Sequence, residues 1–174
     1  MSSDTFMLYK LMILYILSRV SFPLTNGQLT AFILEKEYTN YFNIQRALSE
    51  LIDDSFITTK TIRNSTLYRI TESGSQTLVF FDNMISAGIK EDIEAYLNQN
   101  KYELQEEVST FAEFFQIKKG EFATHLKVIE RDTSIIDLTL TVTTEAEASM
   151  VCNNWKEKSS DIYAYLMSSL LENK

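Results

Sequence analysis

The most constraining feature of the sequence is the order of apolar patterns between residues 25 and 74. Two short stretches repeat their apolar residues at intervals of three and four, as amphipathic helices do, and two strand-like runs follow them. The predicted elements are a helix at 26–36, a polar turn starting at Tyr38, a helix at 42–54, a strand at 56–62, a turn at 63–65 and a strand at 66–71. The sequence therefore predicts a helix–turn–helix followed by a β-hairpin.

A short helix pair joined by a tight turn is a recurrent way to place one helix in the major groove of DNA. Residues 5–85 resemble the winged helix-turn-helix domains of bacterial transcriptional regulators. The segment LYRITESG at 67–74 is similar to the aromatic-x-hydrophobic-Thr-x-x-Gly segment found where the wing returns to the fourth helix. The segment ALSELIDDSFI at 47–57 resembles the passage from the third helix to the wing. The whole chain is similar to an uncharacterised bacterial winged-helix family with a C-terminal α+β extension, which implies no particular ligand.

The remainder of the chain predicts helices first and then a small sheet, because the apolar period changes from 3.6 to 2 near Phe111. The predicted elements are a helix from residue 4 or 5 to about 20, helices at 75–86 and 89–111 separated by a break at Ala87-Gly88, strands at 114–118, 122–130 and 134–143, and a last helix at 144–171. The expected fold class is α+β. The expected domains are a winged helix-turn-helix at 1–86, a helical connector at 87–110, and a three-stranded antiparallel sheet covered by one helix at 111–174.

The charge of the chain is unevenly distributed. The net charge is −8 at pH 7, and residues 76–174 carry all of it because residues 1–75 are neutral. A generic nucleic-acid coat would be basic, so any DNA-binding face must lie in the first half.

The apolar run from Phe6 to Leu17 is too short to span a membrane, which takes about 20 residues. Lys10 interrupts the run. The residues before it are not basic and no small-x-small cleavage site follows it, so the run does not have the pattern of a signal peptide. With a single cysteine, the chain can form no internal disulfide. We expect a cytoplasmic protein without a membrane partner.

The same run predicts a buried helix that is apolar on nearly every side. One small domain has difficulty covering such a helix, so we expect a homodimer built on this helix and on the helix at 89–111. Coverage of the first helix by the C-terminal helix of the same chain is the alternative.

Residue types that carry catalysis or bind cofactors are scarce. Four glycines form no phosphate-binding loop, and a single histidine, His125, and a single cysteine, Cys152, cannot make a zinc site. A lone histidine without an evident nucleophile is weak evidence for catalysis. We expect no enzyme activity, no cofactor and no metal.

The predicted recognition helix and wing carry the candidate site residues. Their side chains could contact phosphates or the edges of bases. The candidates are Tyr41, Asn43, Gln45, Arg46, Ser49, Lys60, Arg63 and Asn64.

Three functions are compatible with these observations. The first is a dimeric transcriptional regulator that reads double-stranded DNA with the helix at 42–54 and the wing at 56–70. The second is a protein-binding adaptor or scaffold that uses the same fold without DNA. The third is a regulator that senses a small apolar effector near Trp155, although no polar residue identifies such an effector.

Overall fold

The computed structural model describes residues 3–62 and 65–172 of the chain. The described residues form six α-helices, one 3₁₀ turn and two three-stranded antiparallel sheets, which confirms the α+β class. The elements are α1 (Ser3–Ser18), β1 (Leu24–Thr25), α2 (Asn26–Glu35), α3 (Tyr41–Asp53), β2 (Ile57–Ile62), β3 (Ser65–Ile70), α4 (Glu72–Phe80), the 3₁₀ turn (Asp82–Met84), α5 (Ala87–Ser109), β4 (Thr110–Lys118), β5 (Glu121–Glu130), β6 (Thr133–Val142) and α6 (Glu145–Leu171). The chain divides into two compact units, Met1–Leu104 and Gln105–Lys174.

Helix α1 is the centre of the first unit. Every residue from Leu11 to Leu17 is at most 3% exposed, because α3, α4 and β3 pack around the helix. Helix α5 also contacts it, and the Tyr15 hydroxyl donates to Glu94 at 2.6 Å. Residues 11–17 of α1 are therefore buried within a single chain, so their burial does not require a second subunit, whereas residues 6–10 are half-buried.

Helices α2 and α3 start and end at defined caps. Thr25 and Gln28 form a capping box at the start of α2, and the side-chain oxygen of Asn40 caps α3. Each helix ends before a residue in the left-handed conformation, Glu37 (φ 54°) and Ser55 (φ 60°). These caps fix the lengths of both helices and confirm the two predicted between residues 26 and 54.

The first sheet has the strand order β1-β3-β2. Strands β2 and β3 form the predicted hairpin, with Ile57 opposite Ile70 and Ile62 opposite Ser65. The two-residue β1 adds to the other edge of β3, where Leu24 lies opposite Tyr68. Sequence patterns missed β1, because two residues are too few to show a period.

The predicted boundaries after the hairpin were wrong in four places. Helix α4 ends at Phe80 rather than at 86, and β4 starts at Thr110 rather than at 114, in residues that had been predicted as the end of the preceding helix. Helix α4 starts at Glu72 rather than 75, because the Thr71 hydroxyl accepts the backbone N–H of Gly74 and caps the helix. The expected break at Ala87-Gly88 is the first turn of α5, where the Ser86 hydroxyl accepts the N–H of Ile89 at 3.3 Å. A glycine in a capped first turn does not end a helix.

Residues 87–104 of α5 belong to the first unit. The Tyr96 ring packs against Phe32 of α2 at a tilt of 46°, with ring centroids 5.0 Å apart, and Ile93 is completely buried. The segment predicted as part of a connector therefore contacts α2 through Tyr96 and α1 through Glu94.

The second unit is the sheet β4-β5-β6 with α6 packed on one face. Trp155 of α6 is 2% exposed and packs against Leu126 and Ile136, and its indole N–H donates to the backbone carbonyl of Lys127 at 3.3 Å. Trp155 is thus a core residue of this unit.

No helix within residues 3–62 and 65–172 has the length and apolarity needed to cross a membrane.

Candidate nucleic-acid interface

Helix α3 has a buried stripe and an open face. Ile44, Ala47, Leu48 and Leu51 are buried and hold the helix on the first unit. On the opposite side of the helix, exposed residues recur every three or four positions. These residues are Phe42, Arg46, Ser49 and Asp53, and we call them the α3 outer face. The Phe42 ring is 82% exposed, so solvent and any partner reach the full length of this face.

Arg46 lies on the α3 outer face but is already engaged. Its Nε donates to Glu50 Oε1 at 3.1 Å, and its guanidinium carbon lies 4.4 Å from the centroid of the Phe6 ring. Glu50 also binds Lys10, with Nζ and Oε2 2.7 Å apart. The hydrogen bond from Lys10, with a contribution from Arg46, lowers the pKa of the Glu50 carboxyl. The guanidinium of Arg46 is therefore held by a carboxylate and by a ring face of its own chain.

Two of the candidate amides have structural partners. Gln45 and Asn26 exchange two hydrogen bonds, at 2.9 Å and 3.1 Å, which link α3 to the start of α2. Asn43 donates from Nδ2 to the Thr39 hydroxyl at 2.8 Å. Both residues are half-buried, so they help to position the helix.

The other two candidates on α3 point to solvent. Tyr41, the first residue of the helix, is 50% exposed, and its ring meets Phe42 edge-on with centroids 6.3 Å apart. Ser49 is exposed one turn after Arg46. The pair Tyr41 and Phe42 makes an aromatic surface at the N-terminal end of α3.

The hairpin adds an exposed strand. Lys60 lies in the middle of β2, opposite Leu67, and it is exposed together with Thr58, Thr59 and Thr61. Arg63 and Asn64 lie outside the described residues. Arg69, on β3, is half-buried and donates to the backbone carbonyl of Ser21 at 3.3 Å.

Cations and carboxylates alternate across the described part of this surface. Lys10 and Arg46 share Glu50, Lys10 also lies 3.5 Å from Asp54, and Asp53 is exposed on the α3 outer face. The surface is thus rich in hydrogen-bonding groups but is not a continuous positive patch. Such a surface can recognise a partner by shape and hydrogen bonds, with a modest contribution from net charge.

Phe42 was missed as a site residue, although the sequence contained the signal. Position 42 lies off the stripe formed by Ile44, Leu48 and Leu51, so a helical wheel places it outside. The turn residue Tyr38 points the other way, since its hydroxyl donates to Asp92 of α5 at 2.6 Å. Burial, together with this hydrogen bond, raises the pKa of Tyr38 to about 12.

Within residues 3–62 and 65–172, no group of three or more His, Cys, Asp and Glu side chains could hold a metal ion.

The fold defines an α+β protein whose first unit presents an open helix face beside an exposed hairpin. The chain belongs to the DUF4364 family, described as a domain of unknown function, whose model matches residues 9–170. No curated protein and no solved structure gives a significant match.

Proposed function

We propose that the first unit is a winged helix-turn-helix domain that binds double-stranded DNA as a transcriptional regulator. Helix α2, the turn and α3 would be the helix–turn–helix, the hairpin β2–β3 the wing, and α4 the helix after the wing. The observation that carries this proposal is the open α3 outer face next to the exposed strand β2. A helix held on its core by one stripe, with the other side free, has the arrangement needed to enter a major groove.

Helix α5 supports the proposal by its position. Its first part contacts Tyr15 of α1, Phe32 of α2 and Tyr38 of the turn after α2, and leaves the α3 outer face uncovered. The threonines and Lys60 of β2 supply hydroxyl and ammonium donors, which suit phosphate oxygens. In this proposal Arg46 leaves Glu50 and binds the edge of a DNA base, and Lys60 contacts a phosphate of the DNA backbone.

Selection of duplexes from a genomic library, at about 50 mM salt, tests the proposal because low salt favours even weak phosphate contacts. An enriched duplex is expected, and its absence would overturn DNA binding. Arg46→Ala should weaken the selected duplex by about 5- to 150-fold, the equivalent of 1–3 kcal/mol, and relax its sequence preference.

Lys60→Ala should weaken all duplexes alike and lower the slope of log affinity against log salt by roughly one. Lys101→Ala is the matched control, since it removes the same charge from an exposed position on α5, and it should leave both quantities unchanged. Glu50→Gln should strengthen binding, because it releases Arg46 and Lys10 and removes a negative charge. Equal affinity in all four variants would mean that α3 and the wing do not contact DNA.

A protein-binding adaptor is the second candidate, and the exposed pair Tyr41 and Phe42 favours it. Large exposed aromatic residues are typical anchors of protein interfaces. In that case no duplex is enriched, and a protein partner captured from cell extract by the wild type is lost with Phe42→Asp but retained with Lys60→Ala.

A further inference from the structure

The end of α1, one side of α4 and the 3₁₀ turn form an open groove, which we call the α1–α4 groove. Its volume is about 370 Å³, at the lower end of the range of about 300–1,000 Å³ for sites that bind small molecules. All of its lining residues belong to the first unit. The lining includes Ser18, Arg19, Ser75, Leu78, Val79 and Asp82.

Arg19, directly after α1, is held in place but is not fully engaged. Its Nη2 atom donates to the Tyr15 hydroxyl at 3.0 Å and lies 3.4 Å from Glu94 Oε1. The guanidinium carbon lies 4.7 Å from the centroid of the Tyr15 ring. Within residues 3–62 and 65–172, Nε and Nη1 of Arg19 have no hydrogen-bond or ion-pair partner. Two nitrogen atoms of a fixed cation therefore remain able to donate to a ligand.

Asp82 supplies a group of the opposite charge to the same groove. Its Oδ2 atom accepts from Lys90 at 2.6 Å, whereas its Oδ1 atom has no partner in the described part of the chain. The Ser75 hydroxyl likewise has no hydrogen-bond partner among the described residues. The groove thus offers free donors on Arg19 and Ser75 and a free acceptor on Asp82.

The charges around the groove cancel. Arg19 and Lys90 are cations, Glu94 and Asp82 are anions, and they form two ion pairs at 3.4 Å and 2.6 Å. The hydrogen bond with Tyr15, together with the charges of Glu94 and Asp82, raises the pKa of the Arg19 guanidinium, so the charge of Asp82 acts on Arg19. A ligand with a single charge would face one group of the same sign, whereas a ligand with both charges matches both groups.

The wall that α4 contributes is partly apolar. Leu78 is 7% exposed and Val79 is 77% exposed. Both lie on the same side of α4 as Ser75, because they follow it at i+3 and i+4. An apolar group placed on Val79 would remove apolar surface from water, at about 25 cal/mol per Å².

We propose that the α1–α4 groove binds a small zwitterion with an apolar side chain, as in a free apolar amino acid or a short apolar peptide. The carboxylate of the ligand accepts from Arg19 and Ser75, and its ammonium group donates to Asp82. The apolar side chain lies on Leu78 and Val79. This proposal does not depend on DNA binding.

Heteronuclear NMR of the full chain, with L-leucine and L-leucyl-L-leucine as probes, tests the proposal. At least one probe should shift the signals of residues 18–19 and 75–82 with a dissociation constant of about 1 mM or lower. Binding of leucine alone identifies a free amino acid, and binding of the dipeptide alone identifies a peptide. The N-acetyl and C-terminal amide derivatives of the bound probe each lack one charge. Each should bind at least about tenfold more weakly, because a charged group of the groove loses its partner.

Two charge substitutions test the assigned roles. Arg19→Gln and Asp82→Asn should each weaken binding of the probe at least about tenfold, because each removes one charge-assisted hydrogen bond. Lys36→Gln is the matched control for Arg19→Gln. Lys36 is also an exposed cation that pairs with a carboxylate of α5, that of Asp92 at 3.8 Å, but it does not line the groove. Lys36→Gln should bind the probe like the wild type.

A pair of substitutions on α4 keeps the proposal falsifiable if a charge variant fails to fold. Val79 and Phe80 are neighbours with 77% and 78% exposure, and of the two only Val79 lines the groove. Val79→Asp should abolish binding, whereas Phe80→Asp should bind the probe like the wild type. The proposal is overturned if neither probe saturates below about 10 mM or if the shifted signals lie outside the groove. A derivative that binds as well as its parent probe, or equal binding by the two α4 variants, overturns it as well.

Discussion

At Gly74, helix α4 passes close to Phe56, the residue before the hairpin. A Cβ atom there would lie 2.1 Å from the backbone carbonyl oxygen of Phe56. That oxygen accepts the N–H of Thr71 at 3.0 Å, and the Thr71 hydroxyl accepts the N–H of Gly74 at 3.0 Å. Because the atom in the way belongs to the backbone, no side-chain rotation can relieve the overlap. Gly74→Ala must therefore push α4 away from the hairpin.

The size of the effect follows from a comparison with Gly88. A Cβ at Gly88, in the first turn of α5, meets nothing within 4 Å, so Gly88→Ala should stabilise the fold by about 0.5–1 kcal/mol through the unfolded state and helix propensity. Gly74→Ala would gain a similar amount but lose about 1–3 kcal/mol to overpacking and about 1 kcal/mol if the bond from Thr71 to Phe56 breaks. The net loss should be about 1–3 kcal/mol, or roughly 5–20 °C in Tm for a domain of about 100 residues.

Thermal and urea unfolding, followed by far-UV circular dichroism, measures both variants against the wild type. The two alanine substitutions should move the midpoint in opposite directions. A Gly74→Ala protein that melts at or above the wild type would show that α4 and the hairpin do not approach each other as described.

Further predictions concern the core and two titrating groups. Trp155→Ala should destabilise the second unit by about 3–5 kcal/mol, measured by urea unfolding, because it empties the centre of that core. The raised pKa of Tyr38, about 12, adds stability that is fully present below pH 10 and is lost as the pH rises through 12. Asp92→Asn should lower this pKa in an NMR titration, and an unchanged value would contradict the assigned cause. Hydrogen bonds, first that from the Thr143 hydroxyl, lower the pKa of Glu147, so Glu147 stabilises the fold above about pH 4.5 and less as the pH falls through its lowered pKa. Thr143→Val should raise that pKa.

The apolar period of the sequence was sufficient to predict the helices and strands whose buried face is marked by their own residues. Helices α2 and α3, the hairpin, the second sheet and α6 were predicted within a few residues of their bounds, because each has a stripe or an alternation that its own residues define. The start of α4 depended on one hydrogen bond from the Thr71 hydroxyl, and β1 on pairing with a strand that comes 40 residues later in the sequence. Neither a capping hydrogen bond nor a pairing between distant strands produces a repeating apolar pattern in the sequence.

The candidate site was less predictable than the fold, because the partners of its side chains lie far away in the sequence. The exposure of Phe42, Arg46 and Ser49 follows from the helical period alone. The two hydrogen bonds between Gln45 and Asn26 and the contact of Arg46 with Phe6 depend on how α3 meets α2 and α1. Only a three-dimensional arrangement can show which polar residues on a helix are already engaged.

The engagement of Arg46 has a consequence for how this protein would bind DNA. Lys10 and Arg46 share one carboxylate, that of Glu50. If either cation moved to a DNA phosphate, it would lose its ion pair with Glu50, and this loss would offset part of the attraction to the phosphate. A single copy should then bind a duplex weakly, and Lys60 on β2 would carry a larger share of the salt dependence than α3.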